Sequence, residues 1–179
     1  MPTGSISLIE EAGRQVLAAC ATFRSFVVSL DVPTALNHIY RDDLPPPTDG
    51  KSYTVAEHQA LRPCAIVSLD RNAGLAFRRE ADLVWSATGR LTIQLLRSLD
   101  TEDLLDGNPT AEAERDFDDL VGPILDELLA KSGGGLAEVA YLDFVGAVVQ
   151  FGPYSGDPKR IGEMGAWQGV TLVLEFERG

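Results

Sequence analysis

Close to the C-terminal end of the sequence, Val170, Leu172, Leu174 and Phe176 alternate with Thr171, Val173, Glu175 and Glu177. A period of two puts the first four side chains on one face of a β-strand and the other four on the opposite face. A strand of this kind needs one covered face and tolerates one wet face. Antiparallel sheets meet that condition, whereas parallel sheets are normally buried on both sides. The same alternation occurs twice more. Leu91, Ile93 and Leu95 alternate with Thr92, Gln94 and Leu96 in a strand over about 88–98, and Val145, Ala147, Val149 and Phe151 share one face of a strand over about 137–151. Shorter apolar runs at Ala65-Ile66-Val67 and Leu75–Arg79 read as two further strands, separated by a turn at Asp70–Gly74.

The cover for one face of this sheet comes from segments with helical spacing. Phe117, Leu120, Val121, Ile124, Leu125, Leu128 and Leu129 form an amphipathic stripe over 109–131. Asn108-Pro109 reads as its N-cap and first helical residue, Gly122-Pro123 as a bend, and Gly133-Gly134-Gly135 as its end. At the other end of the chain, Leu8, Ala12, Val16, Ala19 and Phe23 recur every three or four residues, after a capping-box spacing at Ser7 and Glu10. This predicts a helix over about 8–21. A short helix with Phe26, Val27 and Leu30 follows it, and a third opens at Pro33 and carries Leu36, Ile39 and Tyr40. Pro45-Pro46-Pro47 begins a loop over 45–52, and Thr54 and Glu57 form a capping box for a short helix ending near Leu61. Helices, strands, a long helix and two strands do not alternate throughout the chain. The expected fold is therefore α+β: a mostly antiparallel sheet with N-terminal helices and one long amphipathic helix packed on it. It reads as one domain over 1–179, with a helical and Pro-rich elaboration at about 22–62.

Charge narrows the function classes. A formal net charge of −12 argues against specific binding of nucleic acid, which needs clustered Lys and Arg, and against an anionic membrane surface. The sequence shows neither a signal-peptide pattern nor a run approaching the ~20 apolar residues of a membrane span, so a cytoplasm-like, reducing place of synthesis is expected. Cys20 and Cys64 have no CxxC partner and read as small core residues.

Candidate chemistry is thin. His38 near Asp42 and Asp43, and His58 beside Glu57, lack HExxH spacing and read as solvated helix faces. Asp100, Asp103 and Asp106 superficially suggest a calcium loop, but Ala111 stands where the EF-hand needs its Glu. Glu112, Glu114, Asp116, Asp118 and Asp119 favour the positive end of the long helix. The glycine run leads into a strand, so it lacks the helix N-terminus that binds phosphate. Gly152–Gly156 does not have the spacing of a nucleophile elbow. No catalytic residue, metal site or cofactor is expected. The long loops 100–108 and 152–165 read instead as contact elements. They single out Asp103, Asp106, Tyr154, Lys159 and Arg160 as interface candidates, with Trp167 as an aromatic anchor at the edge of the second loop.

The element order resembles the tail terminator proteins of long-tailed phages. The ending Gly165-Ala166-Trp167-Gln168-Gly169-Val170-Thr171-Leu172-Val173-Leu174-Glu175-Phe176 is similar to their terminal strand, and Leu61-Arg62-Pro63-Cys64-Ala65-Ile66-Val67 to their first strand. The resemblance covers most of 5–179 and leaves three neck positions open: terminator, tail completion and head–tail joining. It implies a virion protein, made in the bacterial host's cytoplasm, that forms a hexameric ring with copies of itself at the head-proximal end of the tail. Such a ring ends tail-tube growth and joins the tail to the head connector. It implies no catalysis and no cofactor, and DNA crossing an acidic lumen without sticking. Two other classes stay open on the residues: a small bacterial ligand-binding protein or enzyme with an acidic pocket, and an acidic adaptor or immunity-type protein with a basic partner.

Overall fold

The computed structural model describes residues 5–50, 53–79, 85–106, 108–131, 142–154 and 166–178. Six strands form the main sheet: β1 (Ile39–Arg41), β2 (Cys64–Leu69), β3 (Ala76–Arg79), β4 (Trp85–Ser98), β7 (Asp143–Tyr154) and β8 (Trp167–Arg178). Their order is β1-β2-β4-β8-β7, with β3 paired to β4 beside this path. Every pairing is antiparallel except β1 with β2. Two-residue strands β5 (Leu104–Leu105) and β6 (Asn108–Pro109) form a separate small ladder. The helices are α1 (Ser5–Ala19), α2 (Ala21–Phe26), α3 (Val32–Leu36), α4 (Val55–Ala60) and α5 (Ala111–Lys131).

Register explains the core. Val67, Ile93 and Leu172 lie side by side across β2, β4 and β8, as do Leu69, Leu91 and Leu174, and Ala65, Leu95 and Val170. All nine are buried on the same face. Ile9 and Leu17 of α1, Phe23 and Phe26 of α2, and Phe117, Val121, Ile124 and Leu128 of α5 join the same apolar cluster. Each such side chain taken fully from water contributes about 1.5–3 kcal/mol, so this face holds the fold together. The intervening residues Ser68, Thr92 and Val173 stand on the opposite face, where Ser68 Oγ and Thr92 Oγ1 lie 2.6 Å apart. A second, smaller cluster covers one end of that face: Cys64, Ile66 and Leu96, packed with Tyr40, Leu44 and Trp167.

Several boundaries differ from the sequence expectation, each for a physical reason. The N-terminal helix includes Ser5, so Ser7 lies within it and is no N-cap. Glu10 is buried instead, and a backbone hydrogen bond from Leu69 reaches its carboxylate. The apolar face of α1 is turned by about one residue. Ile9 and Leu17 are buried, whereas Leu8 is exposed and Val16 only half-buried, because Gly13 lets the helix approach Leu91 and Val67. The second helix stops at Phe26, and Leu30 lies outside it in solvent. Ile39 and Tyr40 do not continue the third helix but form the parallel strand β1, with Asp31 rather than Pro33 opening that helix as a capping residue. Asn108-Pro109 is strand β6, and Thr110 caps α5 through Ala113 N–H at 3.2 Å. The capping box at Thr54 and Glu57 is present as expected. The glycine run 133–135 lies outside the described residues.

Candidate functional site: the open edge of β7 and its acidic cleft

β7 pairs only with β8, so its outer backbone edge has no strand partner among the described residues. The strand has 12 residues, and Val145, Val148 and Phe151 are 60%, 58% and 75% exposed. Its pairing shifts between Phe144 and Gly146 and again between Phe151 and Tyr154. The first shift takes Val145 off the face shared by Ala147, Val149 and Phe151, with which the alternation had grouped it. Phe151 lies opposite Val170 on the core side of the sheet, yet it stays in water.

Beside Phe151 lies a cleft of about 70 Å³ between α5 and the sheet. Glu114 and Asp118 form its rim, and Phe117, Phe151 and Val170 its apolar surface. The two acids are four positions apart, so they stand one above the other on one face of α5. Gln168 completes the wall while being only 5% exposed. Its Oε1 accepts from Arg97 Nε at 3.3 Å and from Arg97 Nη2 at 3.1 Å. The same guanidinium donates to Ala113 O and stacks 5.0 Å from the centre of the Phe117 ring. Burial lowers the Arg97 pKa, and the negative charges of Asp103 and Asp116 oppose that shift. Arg97 therefore ties β4, β8 and the start of α5 into one rigid wall.

The interface candidates from the sequence have different surroundings where they are described. Asp103 caps its own turn: it accepts from Asp100 N–H at 2.9 Å through its carboxylate and from Thr110 N–H at 2.8 Å through its backbone oxygen. Asp106 is exposed in a left-handed conformation (φ 52°). Trp167 opens β8 and packs half-buried against the Cys64, Ile66 and Leu96 cluster. Tyr154 ends β7, while Lys159 and Arg160 lie outside the described residues. Asp103 is thus held at the start of α5 through Thr110, whereas Trp167 packs against the cluster on the other face of the sheet. Phe151 and the Glu114/Asp118 pair were in view in the sequence. The signal for them was the four-residue spacing of the acids, which there read only as a dipole effect.

The histidines have different surroundings. His38 Nδ1 lies 3.3 Å from Pro63 O. His58 is buried edge-on to Tyr53, with ring centres 5.3 Å apart. Burial and the Arg62 charge both hold its pKa below the usual value. Arg62, also buried, is pulled down to about 10 by desolvation, and the Cys64 thiol is pushed up to about 12 by the same cause. A thiol held that high is not a nucleophile. No group of three or more potential metal ligands occurs among the described residues. A further exposed apolar feature is the turn after α2. Val28 is 88% exposed with φ at 54°, and Leu30 is 99% exposed. A β-branched residue in that region costs on the order of 1–3 kcal/mol.

No protein-family model matches the chain, and no curated protein matches it.

Proposed function

We propose that this chain works as an assembly subunit through its surface: a phage neck protein that forms a ring at the head-proximal end of a tail, stops the growth of the tail tube and joins the tail to the head connector. The observation that carries the assembly reading is β7, a 12-residue strand at the margin of the sheet among the described residues, with three exposed apolar side chains. An edge of this length and character is a template for a strand from another chain. The ring and its place in a virion come from the resemblance in element order. A second reading, an acidic adaptor with a basic partner, is favoured by the carboxylate rim formed by Glu114 and Asp118. No helix among the described residues is long and apolar enough to cross a membrane.

Light scattering coupled to size exclusion, with negative-stain microscopy of the peak, tests the ring. Closed annular particles at micromolar protein are expected. A particle that stays monomeric from micromolar to millimolar concentration would count against the virion reading.

A further inference from the structure

We infer that helix α4 is an acid-released latch: it stays docked while the His58 imidazole is neutral and comes away from the rest of the domain when that ring takes a second proton. The helix has six residues and cannot persist alone. His58 is its buried side chain, only 5% exposed, whereas Ala56, Gln59 and Ala60 stand in solvent. The ring meets Tyr53 edge-on, and the Tyr53 hydroxyl donates to Pro45 O. Arg62, in the turn that follows, is also buried. Its Nε donates to His58 O at 3.1 Å and its Nη1 to Ala166 O at 3.4 Å. His58 thus sits between the residues that lead into α4 and the one that leads out of it toward β2.

The geometry makes a charge on this ring costly. His58 Nδ1 is buried and has no hydrogen-bond partner among the described residues. A neutral imidazole carries one N–H, and protonation turns both nitrogens into donors. Nδ1 then becomes a charged donor with no acceptor, at a place water does not reach. The surrounding groups give no relief. Among the described residues, Arg62 is the charge that acts on the ring, and it has the same sign. Glu57, the adjacent residue, accepts from Thr54 N–H at 2.9 Å and from Thr54 Oγ1 at 2.8 Å. Hydrogen bonds from Thr48 and Thr54 hold its carboxyl down to about 2, so it stays an anion turned toward the start of the helix. Asp43 and Glu57 act on Tyr53, and neither acts on His58. Tyr40, Tyr53 and the Cys64 thiol are held above their ordinary values by burial and stay neutral in mild acid. His38 is the other imidazole near this turn, and its Nδ1 faces an acceptor, Pro63 O at 3.3 Å. Burial first and Arg62 second hold His58 below its ordinary 6.5. The docked ring therefore binds its proton less tightly than a released one. Docking has its full strength above 6.5 and weakens as pH falls toward the docked value. Release lets water reach Nδ1 and separates the new charge from Arg62.

The test follows amide hydrogen exchange of the full chain at pH 7.5 and pH 5.5, with rates corrected for the intrinsic effect of pH. The His58 and Arg62 amides donate to Thr54 O and Gln59 O within this turn. Their protection is expected to fall by up to about tenfold at the lower pH, the limit for uptake of one proton by a released imidazole. Amides in the centre of β4 should keep theirs. In His58→Phe, which retains an aromatic edge against Tyr53, the fall should vanish, and in His38→Gln it should remain. The His58 ring resonance, followed by NMR over the same range, should titrate below 6.5. A value at or above 6.5 overturns the inference, and that measurement needs no variant to fold. Protection that is equal at the two pH values, or that falls as far in His58→Phe, also overturns it. So does a fall of the same size in β4, which would be acid unfolding of the whole domain.

Discussion

Helix α2 has six residues, and its N-cap residue, Cys20, contributes no side-chain cap. Its free N–H groups are satisfied from more than a hundred residues away. Glu127 on α5 accepts from Ala21 N–H at 2.8 Å, from Thr22 N–H at 2.9 Å and from Thr22 Oγ1 at 2.7 Å. A helix this short does not persist alone, so this carboxylate is a main reason for its form. Loss of an N-cap costs about 1 kcal/mol, and loss of a carboxylate facing the helix dipole about 0.5 kcal/mol. The hydroxyl bond adds about 0.5–1 kcal/mol. Water reaches this half-buried site and replaces part of what is lost, so Glu127→Ala should lower stability by about 2 kcal/mol. Glu127→Gln keeps one acceptor oxygen and should lose about half of that. Urea unfolding followed by circular dichroism measures both, and a lower midpoint at unchanged slope is expected. For a chain of this size the alanine variant should melt about 4–8 °C earlier. A double-mutant cycle with Thr22→Ala should give a coupling of about 1 kcal/mol. A loss below about 0.5 kcal/mol in Glu127→Ala, or no coupling in the cycle, would refute capping across this distance.

Two further outcomes follow from the α1 interface. The Glu10 carboxyl is held above its ordinary value first by burial and then by Asp42, against a hydrogen bond from Leu69 N–H and the charges of Arg41 and Arg71. A raised folded pKa means that the folded state holds this proton more tightly. Its contribution is full below the unfolded value of 4.5 and is lost as pH rises through the folded value. Glu10→Gln should therefore stabilise the protein at pH 7 and change little at pH 4, as read by urea midpoints at the two pH values; equal effects at both would contradict this. At Gly13, an added Cβ would lie 2.4 Å from Leu91 Cδ2 and 3.3 Å from Val67 Cγ1. Gly13→Ala gains about 1 kcal/mol in helix propensity but overpacks by about 1–3 kcal/mol, so a net loss of about 1 kcal/mol is expected. In a Leu91→Ala background the same change should be neutral or stabilising, which four denaturation curves would show.

The readable parts of the sequence were those whose physics is local. Alternation placed β8 and β4, the stripe from Phe117 to Leu128 placed α5, and Thr54 with Glu57 placed α4 with its reciprocal cap. Parts that depend on distant partners were not readable. Ile39-Tyr40-Arg41 has helical spacing from Leu36, and only the presence of β2 makes it a parallel strand. Ser7 and Glu10 have the spacing of a capping box, but burial of Glu10 against Leu69 puts them to another use. Asn108 and Pro109 suit a helix start equally well as the strand opposite Leu104 and Leu105. The cleft was illegible for the same reason. Glu114 and Phe151 are 37 positions apart in the chain, and only the position of β7 at the end of the sheet exposes Phe151 beside the acids.

Among the described residues, β1 and β3 also lie at margins of the sheet, and they differ from β7. β1 has three residues and ends at Arg41, which is engaged by Glu11. β3 has four residues and carries exposed Arg78. Short, charged edges of this kind discourage strand addition. β7 has the opposite character: Phe144 to Phe151 contains neither a charge nor a proline. Chain-to-chain growth by strand pairing needs two complementary edges on each subunit, because each added copy must offer a fresh edge to the next. Among the described residues only one such edge is long enough to serve. A subunit with one long receptive edge has no second such edge to pass on, so pairing through β7 stops after one step and the contacts of the proposed ring lie elsewhere on the surface. That asymmetry supports a component that ends an assembly more than one that extends it.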